Sequence, residues 1–515
     1  MRIANQYLSI IGFIRKVGYG IMLICILGEL IFFNSLPNVC GCIMCFFSWW
    51  TFSKFFLKRE VILRHPFAWL FYLSMVLYRY LPLIATFFEM KPVTYGFENP
   101  YYTIWGEMFL FAVQSLAFYI VCYGRQNVFI PLRNFLRRMD FFTSFSNNAI
   151  WCMGFIGLLA MFITLKSGGA DYGDVGGKFL APMVAMKFVP LVMFFPSLYK
   201  VQGPNPSKKV LCLYLLLLEV LSLMGNSREA LIHPLGCFVV LAFLNVVKQR
   251  TNFKKFVYSW KFPALVLLFV VSVKAFTMVS DAMLANRGVR ADVSAVELMK
   301  LQMSAVNSSR QDDEEQGMMS YFEGWDETYV DNFLLNRYCN MRITDETMYL
   351  AMRLDGWDTT GNDNMRTAFF TRVLSNLPTP VLRFLSIDID KNNIQYSEGD
   401  YLYALATSTQ VHMGYRVASH LALGMACFGL LYFPIQFVLL LLSFCLLDTI
   451  VLYRKDNIFY SLAGLAIVFD LVGRFRNANG CVGDAGYLVR GYWQFLFLYW
   501  ITFYVAKTIT NLFRK

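Results

Sequence analysis

The sequence predicts an all-α membrane protein that crosses the bilayer about 12 times. Its 515 residues are 57% hydrophobic and only 16% charged, with a mean hydropathy of +0.48. A soluble protein of this length needs more charged surface than that. Apolar runs recur from end to end, and many are close to the roughly 20 residues that a helix needs to span a bilayer.

The apolar runs define twelve predicted spans, and this even number places both termini on one side of the membrane. The spans are 18–34, 37–52, 67–88, 104–123, 148–165, 180–199, 209–225, 231–247, 263–280, 432–453, 457–474 and 490–506. They divide the chain into three parts: residues 1–280 with nine spans, a large loop over 281–431, and residues 432–515 with three spans.

The charges alternate from loop to loop in agreement with this count. Loops after even-numbered spans are rich in Lys and Arg, whereas the opposite loops carry few. Because Lys and Arg concentrate on cytoplasmic loops, we expect both termini in the cytoplasm. The net charge of +12 combines a balance of −9 over 281–405 (20 acidic, 11 basic) with +21 elsewhere (14 acidic, 35 basic). The basic excess therefore reflects membrane topology, and nucleic acid is not an expected partner.

The large loop is predicted to be helical and to lie on the outer side. Residues 326–342, 345–354 and 364–377 place apolar residues at helical spacing, with Asp or Thr as caps. The chain then turns apolar from 401 to 432, which predicts one helix that dips toward the membrane. On that helix Arg416 and His420 are four residues apart and would share a face. The alternative is that this segment forms a span of its own, which would disrupt the charge alternation.

Two further features of the outer side are open to more than one interpretation. Gly-Trp-Asp-x-Thr occurs twice, at Trp325 and Trp357, where Trp and Asp can stack on and hydrogen-bond a sugar. The simpler interpretation, which we favour, is two helix starts. Cys339 and Cys481 fall on the same predicted side, so a disulfide between them is possible.

Cations near membrane depth are the strongest candidates for a functional site. Arg228 lies in a tight outer turn, where its planar guanidinium suits a phosphate or pyrophosphate. Glu229 follows it and is either its ion-pair partner or a base. Arg416 can bind an anion while His420 moves a proton, and Arg474 and Arg476 can complete an arginine cluster. No nucleotide-binding loop or metalloprotease motif is present, so an enzyme of this kind needs a donor that is already activated.

These features resemble the oligosaccharide repeat-unit polymerases, the O-antigen polymerase-like family of bacterial envelopes. The resemblance rests on the many spans, the outer turn GNSRE at 225–229, one large outer loop late in the chain, and the return segment HLALGMACFGLLYFPI at 420–435. It covers the architecture of nearly the whole chain.

The resemblance implies a metal-independent, lipid-linked glycosyltransferase with a GT-C-like fold in the bacterial inner membrane. Donor and acceptor would both be oligosaccharides on undecaprenyl pyrophosphate, with membrane lipids and a chain-length regulator as further partners and with no cofactor. In this scheme Arg228 and Arg416 hold the pyrophosphate with help from Arg474 or Arg476. His420 is the base and Glu229 the alternative base, while Trp325 and Trp357 contact sugar.

Two other functions remain open at the level of sequence. A related O-antigen ligase would move glycan from the same carrier lipid to a lipid core with the same arginines. A lipid-linked oligosaccharide flippase or other transporter is disfavoured because no repeated halves are visible.

Overall fold

The computed structural model describes most of the chain, namely residues 9–124, 127–166, 180–199, 201–204, 206–223, 228–260, 329–391, 394, 396–412, 416–454, 457–475 and 480–512, with scattered positions between 263 and 304. The side chains of 165, 166, 223, 228–231, 255, 256, 333, 334 and 337 are outside this description. The ninth predicted span, 263–280, lies largely outside the described residues.

The described residues form helices almost throughout. The helices are α1 (Ile10–Phe32), α2 (Leu36–Thr51), α3 (Arg59–Arg64), α4 (Pro66–Phe88), α5 (Pro100–Tyr123), α6 (Ile130–Arg138), α7 (Asn147–Lys166), α8 (Lys208–Leu223), α9 (Arg228–Gln249), α10 (Lys254–Val257), α11 (Phe333–Tyr338), α12 (Met341–Ala351), α13 (Asp363–Ser375), α14 (Thr379–Phe384), α15 (Glu398–Thr407), α16 (His420–Phe428), α17 (Tyr432–Leu447), α18 (Leu462–Ala466), α19 (Val468–Gly473), α20 (Gly480–Gly486) and α21 (Tyr492–Leu512). A π-helical turn, Phe52–Phe56, extends α2, and another, Tyr487–Gly491, joins α20 to α21. A 3₁₀ helix covers Ala181–Phe194.

Eight helical stretches in the described residues are long and apolar enough to cross a membrane, as expected for an all-α membrane protein. They are Ile10–Phe32, Leu36–Phe56, Pro66–Phe88, Pro100–Tyr123, Asn147–Thr164, Ile232–Gln249, His420–Ile450 and Gly480–Leu512. Each overlaps a predicted span, although His420–Ile450 and Gly480–Leu512 begin 12 and 10 residues before the predicted starts at 432 and 490. The sixth predicted span holds only the 14-residue 3₁₀ helix, and the seventh holds the 16-residue α8.

The eleventh predicted span, 457–474, is broken into short pieces and is not one helix. Residues Val451–Arg454 (β1) and Asn457–Tyr460 (β2) form an antiparallel hairpin where the tenth span was predicted to end. The two short helices α18 and α19 follow. Ser461 caps α18 through the backbone N–H of Gly464 at 3.1 Å. A side chain at Gly464 would meet the Phe67 ring, so glycine permits this close packing on α4.

Helix α4 is the centre of the bundle, because α1, α2, α5, α17 and α19 all pack against it. Its side chains are largely buried, whereas α1 at the edge leaves most of its apolar surface exposed. Aromatic rings fill the centre: Tyr72 of α4 stacks on Phe118 of α5 with ring centroids 4.8 Å apart. Burial of such large rings is a main source of stability in a helix bundle.

The two predicted sets of loops lie at opposite ends of the bundle. At the large-loop end, residues 89–99 contact 329–345: Glu89 accepts hydrogen bonds from the backbone of Asp331 and Asn332 at 2.6 and 2.8 Å. At the basic end, residues 57–65 contact 247–248 and 448–460, as in the hydrogen bond of 3.2 Å from Tyr460 to the Leu63 carbonyl. This grouping agrees with the predicted alternation of loops.

The large loop is helical as predicted, although its helix boundaries differ. Asp345 was predicted to begin a helix, but it lies within α12. Its carboxylate instead accepts hydrogen bonds from the backbone of Glu98 and Asn99 and from Thr103, at 2.5, 3.1 and 2.9 Å. It thus satisfies donors at the start of α5. Burial outweighs these bonds and raises the pKa of Asp345.

Candidate functional site

A group of polar side chains, all buried except Arg474, which is 19% exposed, occupies the interior of the bundle toward the large-loop end. Arg79 lies 13 residues after the start of α4, which places it roughly 20 Å from the basic end. Polar and charged groups at this depth are costly to bury and are functional candidates. We call the following seven residues, which come from six helices or their ends, the polar cluster: Arg79, Glu107, Gln114, His420, Gln436, Arg474 and Asp484.

The deepest part of the polar cluster is an ion pair between α4 and α5. Arg79 Nη2 lies 2.6 Å from Glu107 Oε2, and both side chains have no exposed surface. The guanidinium also donates to the Glu107 and Met75 carbonyls and to the Gln114 side chain, at 3.2, 2.8 and 3.0 Å. A buried charge needs such a set of partners. The pair therefore fixes two central helices together.

His420 is held at the first position of α16. Ser419 caps this helix by accepting the backbone N–H of Ala422 at 3.1 Å. The imidazole stacks on Phe475, with ring centroids 4.2 Å apart and an interplanar angle of 7°. Phe475 donates its own backbone N–H to Ser74 of α4 at 3.2 Å. The broken eleventh span thus positions the ring against which His420 rests.

Asp484 of α20 connects the remaining members of the polar cluster. Its carboxylate accepts a hydrogen bond of 2.7 Å from Gln436 and lies 3.8 Å from Arg474 Nη2 and 3.9 Å from His420 Nδ1. Arg474 also lies over the Tyr487 ring at 3.5 Å. A carboxylate at this distance stabilises the protonated form of the imidazole through its charge.

Several polar atoms in this part of the polar cluster have no hydrogen-bond partner of ordinary geometry among the described residues. His420 interacts with the Phe475 backbone, but neither of its nitrogens makes a hydrogen bond of ordinary geometry among the described residues. Arg474 Nε and the Gln436 carbonyl oxygen also make none. Buried polar groups are normally satisfied. All three residues lie around the Asp484 carboxylate, which makes this group the candidate for contact with a polar ligand.

An aromatic groove lies on the other side of α16. It has a volume of about 530 Å³ and its wall includes Leu421 and Met425, which follow His420 in the chain. We define the aromatic groove by Tyr101, Tyr102, Trp105, Gly106, Phe109, Met348, Trp357, Asp358, Leu421, Met425, Leu430 and Phe433. Trp105 and Phe109 are about half exposed on α5, so the groove is open at the side of the bundle.

Trp357 lies at the large-loop end of the aromatic groove, and its predicted contact with a sugar stays a prediction. Its ring meets Tyr102 edge to face, with centroids 5.8 Å apart. The preferred interpretation of its motif as a helix start is wrong, because residues 356–360 form a turn between α12 and α13. Trp325, in the first copy of the motif, lies outside the described residues.

Arg416 and His420 do not share a helix face, which corrects the prediction. Residues 416–419 are not helical, and α16 begins only at His420, because Ser419 adopts extended backbone and caps it. Arg416 instead faces α15, where its Nη1 lies 3.1 Å from Asp400 Oδ1 and its guanidinium stacks over Tyr403. Its charge is therefore compensated by a carboxylate.

The Arg416–Asp400 pair is a structural clamp between α15 and the segment before α16. Burial alone would raise the pKa of Asp400, but hydrogen bonds from Ser397 and Arg416 outweigh burial and lower it. Asp400 and Ser397 also form a capping box at the start of α15. The pair thus orders the chain that leads to His420.

The remaining sequence-predicted residues have different outcomes. Arg474 lies 3.8 Å from Asp484, the carboxylate that His420 Nδ1 also approaches, and its role in an arginine cluster stays a prediction. The side chains of Arg228 and Glu229 and all of Arg476 lie outside the described residues, so their predicted roles stay predictions. Cys339 and Cys481 are both free thiols, and the possible disulfide is not formed.

The sequence analysis did not select Arg79, Glu107 or Asp484. Arg79 and Glu107 carried a usable signal, because each is an ionisable residue inside a predicted span. Asp484 had no comparable sequence signal, since it was predicted to lie in a loop beside the last span. Its importance follows only from the tertiary contact with His420 and Arg474.

The arrangement places an imidazole, a carboxylate and a guanidinium together, separated by one helix from a groove that opens at the bundle surface. It can accept a proton at His420 and stabilise an anion at Arg474. No family model, curated protein or solved structure matches this chain.

Proposed function

We propose that this protein is a membrane glycosyltransferase that joins polyprenyl-pyrophosphate-linked oligosaccharides into a polymer at the outer face of the inner membrane. The observation that carries the proposal is the His420–Asp484–Arg474 group in the interior, which lies across α16 from a groove accessible from the side of the bundle. The resemblance to the repeat-unit polymerases supplies the class of substrate.

In the proposed reaction, a hydroxyl of the acceptor sugar attacks the anomeric carbon of the donor glycan. The new C–O glycosidic bond forms while the bond from that carbon to the pyrophosphate breaks. The proton of the hydroxyl passes to a nitrogen of His420, and Asp484 stabilises the resulting imidazolium. The leaving polyprenyl pyrophosphate carries the electron pair away.

The leaving group gains negative charge as its bond to carbon breaks, so a cation beside it lowers the barrier. Arg474 is suited to this role because its guanidinium is near His420 and its Nε is not used by the described residues. Arg228, predicted from the GNSRE turn, is proposed as a second cation. Arg416 is proposed to order the site through Asp400 and not to bind the phosphates.

The aromatic groove suits the amphipathic form of such a substrate. Trp357 and Tyr102 at its large-loop end offer flat rings and Asp358 a carboxylate, which can contact a sugar. Phe109 and Phe433 line the part of the groove that lies further from the large loop. Their rings meet edge to face there, with centroids 4.5 Å apart. An isoprenoid chain can lie on these apolar rings.

The test compares two histidines that both lie beside an aspartate. His420→Gln should lower turnover of purified lipid-linked repeat units by about 10²–10⁴, as expected for loss of a general base. His65→Gln is the matched control, because His65 meets Asp448 at 2.5 Å at the basic end of the bundle. This control variant should retain turnover within about threefold. Equal turnover of the two variants would exclude His420 as the base.

The products separate the proposed function from its alternatives. A ladder of glycans on the carrier lipid supports a polymerase, whereas glycan on a lipid core identifies a ligase. Transfer of intact lipid-linked oligosaccharide across proteoliposomes, without a new glycosidic bond, identifies a transporter. Arg228→Ala should abolish polymer and leave single repeat units and expression intact, and normal polymer in that variant would remove Arg228 from the reaction.

A further inference from the structure

A second cavity lies at the basic end of the bundle, far from the polar cluster. It has a volume of about 640 Å³, between the start of α1, the segment around α3 and the end of α9. This size is in the range of small-molecule sites, about 300–1,000 Å³. Its charged lining residues are Arg15, Lys58, Arg59, Arg250 and Glu60. Four cations and one carboxylate give a net charge of +3, so the cavity attracts anions. We call it the basic cavity.

Two of the four cations also have a structural role. Arg59 donates from Nε and Nη2 to the carbonyls of Val247 and Lys248, both at 3.0 Å. These carbonyls belong to the last turn of α9, where the helix leaves its acceptors unsatisfied. Arg15 donates to the Leu57 carbonyl at 2.8 Å. These carbonyls hold the guanidinium groups in place at the wall of the cavity.

The other two cations are more exposed and lie at the rim. Lys58 donates to the Tyr123 hydroxyl at 3.2 Å, again a neutral partner. Arg250 follows directly after α9 with a φ of 53°, a conformation that is uncommon outside glycine, Asn and Asp. The rim therefore offers two cations that can be removed without removing the arginines that join the helices.

An apolar strip leads away from the basic cavity along α1. Val17, Ile21 and Ile24 are 39%, 38% and 62% exposed, and their spacing of four and three residues places them on one side of the helix. Ile10, at the start of the same helix, lines the cavity. A ligand with a phosphate and hydrocarbon chains matches both parts.

We propose that the basic cavity binds the phosphate head group of an anionic glycerophospholipid, whose acyl chains lie along the exposed side of α1. Basic sites between transmembrane helices at the cytoplasmic surface are suited to such head groups. The strip on α1 favours a lipid over a soluble phosphate. The proposal does not depend on the glycosyltransferase function, because it concerns other residues at the opposite end.

The test measures lipid binding to the purified full-length chain in detergent, by native mass spectrometry and by thermal unfolding. Phosphatidylglycerol should bind and raise the unfolding temperature, whereas phosphatidylethanolamine and inorganic phosphate should have little effect. The double variant K58Q/R250Q should bind phosphatidylglycerol roughly thirtyfold more weakly, because two cations near the head group are lost.

The matched control is R137Q/R138Q, which removes two exposed cations from α6. It should keep normal lipid affinity. Glu60→Gln removes the one carboxylate of the cavity and should bind about fivefold more tightly, which tests the proposal with a gain of binding. Equal weakening in both double variants, or an equal effect of inorganic phosphate or phosphatidylethanolamine, would overturn the proposal.

Discussion

The two halves of the polar cluster differ in how completely their charges are satisfied. Arg79 and Glu107 are in direct contact at 2.6 Å, and Arg79 uses all three of its nitrogens in hydrogen bonds. Around Asp484, the distances to Arg474 and His420 are 3.8 and 3.9 Å, and both nitrogens of His420 lack hydrogen bonds of ordinary geometry within the described part of the chain. We call the first the closed pair and the second the open group.

This difference separates a structural role from a chemical one. A buried ion pair with many hydrogen bonds holds helices in place and has little capacity left for a ligand. A buried group with unused donors and acceptors is destabilising on its own, and it becomes favourable when a ligand supplies partners. Glu107 Oε1 and Gln114 Nε2 also lack hydrogen-bond partners among the described residues. The two halves therefore differ mainly in their ion-pair distances, and the open group is the one that we propose as the place where substrate reacts.

The sharpest test of the closed pair is the loss of one partner. Glu107→Ala should destabilise the protein by about 3–5 kcal/mol, because it leaves the Arg79 charge buried without its carboxylate. The double variant R79M/E107L should recover most of this loss, since it leaves no unpaired charge. Thermal and denaturant unfolding in detergent measure both effects. A change below about 1 kcal/mol in the single variant would contradict the closed pair.

A substitution in the open group should lower enzymatic activity strongly and the free energy of unfolding only slightly. Asp484→Asn keeps the shape of the side chain but removes the charge that faces His420 and Arg474. We expect kcat to fall about a hundredfold with a small change in KM, because the imidazolium of the transition state loses its carboxylate. The unfolding free energy should change by about 1 kcal/mol. A variant with normal kcat would show that Asp484 does not position the base.

The Arg416–Asp400 clamp is intermediate, because it is buried but lies in the loop that leads to the open group. Asp400 has a lowered pKa, so it adds stability that is present above its unfolded pKa, near 3.9, and lost as the pH falls through its folded value. Asp400→Asn should cost roughly 2 kcal/mol at pH 7 and remove that part of the acid dependence. Asp363→Asn, at an exposed carboxylate, is the control. Parallel pH profiles of wild type and Asp400→Asn would contradict this role.

The smallest effect is expected at the surface pair between the α4–α5 loop and the large loop. Lys91 lies 2.6 Å from Asp331, whose side chain is 78% exposed. Burial opposes the charge of Lys91, but hydrogen bonds to Asp331 and Glu89 outweigh burial and raise its pKa. Lys91→Met should cost about 0.2–1 kcal/mol, and the cost should shrink in high salt. A larger loss that salt does not change would indicate that the contact behaves like the closed pair.

The sequence predicted the long helices well, because an apolar run near 20 residues has few other structures available. It did not predict the broken span, since 457–474 is equally apolar whether or not it forms one helix. The break depends on the hairpin of β1 and β2, on Ser461, and on the fit of Gly464 against Phe67. These are tertiary contacts that no local pattern reveals.

The candidate site was predictable only in part, because some of its members are brought together by tertiary contacts. His420 and Arg474 were selected because cations and histidines near membrane depth are rare. The partner of Arg416 was missed, because Asp400 is 16 residues away and the intervening chain was predicted to be one helix. Asp484 was missed because its neighbours come from α16, α17 and the end of α19, which are distant in sequence.

The broken span also has a consequence for how the chain is made. The helices α18 and α19, with five and six residues, are too short to insert into the bilayer as independent transmembrane segments. Residues 461–475 must therefore pack on α4 before they can take their final position in the bilayer. Helix α4 is synthesised almost 400 residues earlier. We expect the nascent protein to complete the polar cluster last, after the long helices have assembled.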